Sequence, residues 1–136
     1  MSLQMNHRVA LTITSLLSIV LFSFHWVDEI SRGMETAGLG GLGGVGILVL
    51  WLSGTLILGH RRSGLVIMLV GAILGVGVLV LHMTGEGLVG GRIATNSPGA
   101  FFWVWTLIAL GVSSTLSLVL SVLLLGKARL GRESIV

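Results

Sequence analysis

The chain has 136 residues, of which 54% are hydrophobic and only 10% charged, and its mean hydropathy is +1.05; a water-soluble domain of this size needs far more polar surface. Cysteine is absent, which removes disulfides, thiolate metal sites and thiol redox chemistry. The net charge of +3 and pI near 11.2 do not signal nucleic acid, because six of the eight basic residues gather at alternate ends of apolar stretches, a pattern of membrane topology.

Four uncharged stretches lie between Arg8 and Lys127, at 9–27, 36–60, 63–85 and 93–126. Each is about long enough to cross a hydrocarbon core of roughly 30 Å as a helix. Helix 1 is predicted over 9–32, continuing past Asp28 and Glu29 to a terminating Gly33. Its apolar run ends in Phe-His-Trp-Val-Asp-Glu, not in a small-residue cleavage site, so it reads as a span and not as a signal peptide. The glycine-rich segment 38–46 reads as an outer loop before helix 2 at 45–59. Within it Gly41-Leu42-Gly43-Gly44-Val45-Gly46 meets the literal G-x-G-x-x-G pattern. It lacks the preceding strand and later acidic partner of a dinucleotide site. A basic turn around Arg61 and Arg62 leads to helix 3 at 64–84. Helix 4 is predicted over 98–126, opening at Asn96-Ser97-Pro98 and closing near Gly126.

These elements predict an all-α membrane protein, a single transmembrane domain over 1–136, with four transmembrane helices in an up-down bundle. Arg8, then Arg61 and Arg62, then Lys127, Arg129 and Arg132 mark three alternate connections. The other two carry Asp28, Glu29, Glu35 and Glu86, with Arg32 and Arg92 as their only bases. The positive-inside bias then places both termini in the cytoplasm.

Lipid is as apolar as leucine, so the helices must associate through close packing and hydrogen bonds. Gly71 and Gly75, with Ala72, give helix 3 a smooth face. Ser114, Ser117 and Ser121 give helix 4 a hydroxyl stripe, and Thr14 and Ser18 form a similar pair on helix 1. All read as helix-packing positions. Trp26, Trp103 and Trp105 read as anchors at the outer boundary, and Trp51 as packed or facing lipid.

One polar constellation stands out at the outer end. His25, Asp28, Glu29 and Arg32 fall at i, i+3, i+4 and i+7, on one stripe of a continuing helix, and His82 and Glu86 form an i, i+4 pair. His25 follows Arg8 by 17 residues and His82 follows Arg62 by 20, about 26 and about 30 Å of helix. The two imidazoles are thus expected at similar depth. Imidazoles and carboxylates on facing helices are the donors of non-haem metal sites, and paired histidines can ligate haem b axially. The simpler expectation is that the acids pair with Arg32 while the histidines hydrogen-bond helix ends.

The stretches His25-Trp-Val-Asp-Glu-Ile-Ser-Arg-Gly33, Arg61-Arg-Ser-Gly64, Leu81-His-Met-Thr-Gly-Glu-Gly-Leu88 and Phe101-Phe-Trp-Val-Trp105 together resemble a group of small, uncharacterised bacterial four-helix integral membrane proteins. The resemblance covers most of the chain. It implies a multi-pass protein of the bacterial cytoplasmic (inner) membrane and brings no activity, cofactor or catalytic residue. The function expected first is therefore a non-catalytic accessory or assembly component in the lipid bilayer, without cofactor, acting as a homo-oligomer or with a membrane-protein partner. A metal- or haem-binding redox protein using His25, Asp28, Glu29, His82 and Glu86 is the first alternative. A small transporter or proton-linked permease is the second, although no Asp, Glu, Lys or Arg lies within the middle of a span.

Overall fold

The computed structural model describes residues 2–33, 39–84 and 99–133, and these form four helices: α1 (Ser2–Ser31), α2 (Leu39–Leu56), α3 (Arg62–Thr84) and α4 (Ala100–Glu133). Three contain stretches long and apolar enough to cross a membrane, Asn6–Ser31, Arg62–Met83 and Ala100–Ala128; α2 is shorter, its apolar part running over Gly41–Leu56. The expectation of four full-length spans is thus met by three long helices and one short one. Glu35, Glu86, Arg92 and the Asn96-Ser97-Pro98 cap lie outside the described residues, as do the side chains of Arg129 and Arg132.

Polarity is arranged inside out. The outward faces are apolar, as with Val9, Ile13, Leu17, Val20, Phe24 and Val27 along α1, whereas Ser15, Ser18, Thr55, Thr106, Ser113, Ser114, Ser117 and Ser121 are buried. That arrangement suits a hydrocarbon solvent, where interior hydroxyls supply cohesion that apolar burial cannot.

α4 is the centre of the packing, with extensive interfaces against both α1 and α3, while α2 lies against α3 and α1. Between α1 and α4, Thr14 meets Ser117 at 2.8 Å and Ser18 meets Ser113 at 2.9 Å. Between α3 and α4, Gly75 sits against Ser114 and Gly111 against Leu79. Residue numbers rise along one helix as they fall along the other in each pair. Trp51 of α2 is buried, laid on Gly71 of α3, with its indole N–H donating to Ser15 Oγ of α1 at 2.9 Å. Ser15 and Thr55 hydroxyls are 2.8 Å apart, and Thr55 spends its proton on the Trp51 carbonyl at 2.9 Å, so Ser15 donates to Thr55. These contacts tie α2 to both neighbours.

Several boundaries differ from the sequence reading. The glycine-rich segment expected as a loop is the first part of α2 from Leu39 onwards. Each helical glycine costs about 1 kcal/mol against alanine, but a helix satisfies its backbone groups internally where lipid offers no partner. Gly44 is also where the Trp26 ring lies against the helix, in space a Cβ would occupy. α2 ends at Leu56, short of the expected 59. Residues 57–61 form the turn into α3, which Arg8 holds by donating to the carbonyls of Gly59 at 3.2 Å and His60 at 3.4 Å. α4 does not stop near Gly126 but continues to Glu133, because Lys127, Ala128, Arg129 and Leu130 are good helix formers and Gly126 does not adopt positive φ. α1 runs from Ser2 to Ser31, and Gly33 just beyond it, with a φ of 67° and an N–H bond to the Ile30 carbonyl, is the left-handed terminator.

Candidate metal centre

One helical turn separates His25 from Glu29, so both point from α1 towards α3 and α4. His82 comes from the last turns of α3. The Glu29 carboxylate oxygen Oε1 stands between the two imidazoles, 2.8 Å from His82 Nε2 and 3.5 Å from His25 Nε2. All three donor atoms lie within 4.8 Å of one another. The imidazole centroids are 5.3 Å apart, nearly perpendicular at 84°. His25 and Glu29 are buried, at 2% and 9% exposure, and His82 is half-buried.

The remote nitrogen of each ring is also held. His82 Nδ1 is 2.7 Å from the Val78 carbonyl; a carbonyl can only accept, so Nδ1 carries a proton, and Nε2–H donates to the Glu29 carboxylate, a proton that a bound ion would replace. On α4, Thr106 Oγ1 lies 2.9 Å from the Phe102 carbonyl and 3.0 Å from that of Trp103. Its single proton is used there, so towards His25 it presents a lone pair. His25 Nδ1, 3.4 Å away, donates weakly to it. That tautomer leaves His25 Nε2 with a free lone pair, and this buried atom has no hydrogen-bond partner. Trp103 is fully buried with its rings centred 5.0 Å from His25 and 5.2 Å from His82, so both imidazoles are backed by one indole.

No family model, curated protein or solved structure matches the chain.

Of the candidate residues, the structure brings together His25, Glu29 and His82. Asp28 is turned aside and accepts from Arg32 Nε at 2.8 Å. The helical rotation of 100° per residue accounts for the split: Glu29 and Asp28 flank His25 on opposite sides of the stripe, and only one flank faces α3. Glu86 lies outside the described residues. Thr106 and Trp103 were not among the candidates, and Trp103 is interior, not the boundary anchor expected of it. Of the packing candidates, Gly71 and Gly75 face Trp51 and Ser114; Ser117 bonds Thr14, while Ser114 and Ser121 are buried with hydroxyls that have no partner. Arg8 grips the α2–α3 turn, and Arg61, Arg62 and Lys127 are exposed.

Two imidazole nitrogens and one carboxylate oxygen form a donor set suited to divalent transition metals. Ligands about 2.1 Å from one ion are separated by about 3 to 3.5 Å in octahedral or tetrahedral geometry. The observed separations of 2.8 and 3.5 Å around Glu29 Oε1 span that interval. Both histidines also bond through the far ring nitrogen to an oxygen acceptor, the arrangement that orients imidazole ligands at metal sites.

Proposed function

We propose that this protein is a metal-binding, non-catalytic component of the bacterial cytoplasmic membrane, holding one divalent transition ion such as Zn²⁺ or Fe²⁺ through His25, Glu29 and His82. The observation that carries the reading is the convergence of two imidazole nitrogens on one carboxylate oxygen, with the buried His25 Nε2 lone pair lacking any other partner. Three protein ligands leave a coordination position for water or a small ligand. Burial of His25 and Glu29 favours holding an ion over turning over a substrate.

The surrounding architecture in this proposal is an up-down four-helix bundle with both termini cytoplasmic, in which α2 is the short member. The opposed order of contacts along each neighbouring pair and the concentration of Arg61, Arg62 and Lys127 at one end support it. The cluster then lies at the outer end, enclosed by α1, α3 and α4. Haem is disfavoured, because Glu29 Oε1 and the Trp103 indole fill the space between and beside the rings that a porphyrin would need. A proton-linked pathway is disfavoured too: along α4 only apolar residues come between Thr106 and Ser113, Leu107 and Leu110 among them fully buried.

The test is metal content and affinity. The full chain, purified in mild detergent, is to be analysed for metal and then, once stripped, titrated with Zn²⁺ by calorimetry. One ion per chain is expected, lost in Glu29→Gln and in His82→Ala. Equal, weak binding by the native chain and by the His25→Ala/His82→Ala pair would remove the proposal.

A further inference from the structure

Trp103 does more than back the two imidazoles. It is fully buried, and its indole Nε1–H is sealed from solvent without an acceptor among the described residues. Besides the imidazoles, the side chains packed on the ring, Leu107, Val78, Leu79 and Val104, are aliphatic and accept nothing. A buried donor left unpaired costs about 1 to 3 kcal/mol, so the chain carries a penalty here that an acceptor in the cluster would remove. The centroids of His25, His82 and Trp103 form a nearly equilateral triangle with sides of 5.0, 5.2 and 5.3 Å. An ion about 2.1 Å from both imidazole Nε2 atoms lies about 3.2 Å from each imidazole centre. With those centres 5.3 Å apart, the rings subtend about 110° at the ion, the angle of a four-coordinate site. On any side of the imidazole pair, such an ion is within about 6 Å of the indole centre. A ligand on its α4 side is then within reach of the indole edge.

Charge defines the class of that ligand. A divalent ion held by one carboxylate and two neutral imidazoles keeps one uncompensated positive charge, and the adjacent Asp28 and Arg32 neutralise each other. His25 and Glu29 are buried, and a buried charge without a counter-charge is costly. A monovalent anion cancels it, and an anion is also the stronger acceptor for an N–H donor. The three rings and Glu29 enclose the position, which restricts the anion to a few atoms, and half-buried His82 is where the cluster opens outwards. We infer that the centre is an anion-binding site: a small monovalent anion takes the fourth coordination position and accepts the Trp103 indole N–H. The inference rests on the metal reading above and adds to it the class of ligand and the residue that selects it.

The experiment loads the full chain in detergent with Co²⁺, whose visible absorption reports its ligands, and titrates azide as the probe anion. A saturable spectral change is expected with azide and none with sulfate, which is divalent and larger. Trp103→Phe keeps an aromatic wall and removes the N–H; it should hold Co²⁺ within about threefold of the native affinity and bind azide about tenfold or more weakly. Trp51→Phe deletes the other buried indole N–H and should leave azide affinity unchanged. Independently of any variant, azide added to the Zn²⁺ form of protein isotope-labelled in its tryptophans should shift one of the four indole N–H resonances. Bound Co²⁺ that ignores azide, sulfate acting as azide does, equal azide affinity in Trp103→Phe, or four unmoved indole resonances would each overturn the inference and leave the metal site standing. Failure of the native chain to take up Co²⁺ or Zn²⁺ would overturn the metal reading and this inference with it.

Discussion

Substituting Gly75 by alanine tests the α3–α4 seam directly. A Cβ at this position would overlap Ser114 Oγ and lie only 2.9 Å from Ser114 Cβ, closer than side-chain carbons pack. Overpacking of this kind costs about 1 to 3 kcal/mol. Ser114 is fully buried and its hydroxyl has no hydrogen-bond partner, so Ser114→Ala forfeits no bond and should change stability little, or raise it slightly. The two changes should therefore couple. The overlap in Gly75→Ala costs about 1 to 3 kcal/mol, offset by about 1 kcal/mol of helix propensity gained; Ser114→Ala relieves part of the overlap because the Cβ contact remains, and Ser114→Gly relieves the rest apart from its own helix cost of about 1 kcal/mol. The assay is reversible unfolding of the purified protein in mixed micelles with increasing SDS, followed by the fluorescence of buried Trp51 and Trp103. The same change on Gly75→Ala in the native, Ser114→Ala and Ser114→Gly backgrounds, in which the helix-propensity gain cancels, would show that the helices do not meet at this pair.

Other substitutions probe separate layers. Thr106→Val removes the acceptor of His25 Nδ1–H and should weaken Zn²⁺ binding by about 10- to 100-fold in calorimetry, whereas Thr106→Ser should keep it. Trp51→Phe deletes the indole donor to Ser15 while largely preserving shape, so the SDS midpoint should fall by the equivalent of about 0.6 to 1.7 kcal/mol. Gly33→Ala meets open space but must hold a φ of 67°, so its cost in the same assay is backbone strain alone, about 1 to 2 kcal/mol, and Gly33→Asn should cost less.

The sequence announces helices and apolar length well, because a hydrocarbon solvent demands both, and Gly33 could be named as a terminator from its position alone. It is less informative where a residue serves a neighbour. The glycines of 40–46 look like a loop until Trp26 is placed against Gly44. In the cluster, the spacing of His25, Asp28, Glu29 and Arg32 yields a stripe but does not say which edge of it faces α3; that is settled by packing, which sends Glu29 inward and leaves Asp28 to Arg32. Thr106 shows no sign of its role because it is not a ligand type, and Trp103 reads as an anchor because a tryptophan near a span end ordinarily is one. Their spacing of three residues, on one face of a shared helix, is the available signal.

The hydroxyl couples of α1 and α4 have a consequence for how the molecule is aligned. Thr14 and Ser18 are four residues apart, and Ser113, Ser117 and Ser121 repeat at the same interval. Sliding α4 past α1 by four residues, about 6 Å, would set Thr14 opposite Ser121 and Ser18 opposite Ser117, giving every couple a substitute and the lone Ser121 hydroxyl a mate. Within the α1–α4 seam His25 alone would be stranded, facing Leu110 in place of Thr106, while on the other side of α4 Gly75 and Leu79 would lose Ser114 and Gly111. The serine ladder is thus a ruler with two readings along α1, and the imidazole at its end, together with the glycine contacts of α3, selects between them, so that the His25 cluster also bears on the frame in which the helices are aligned.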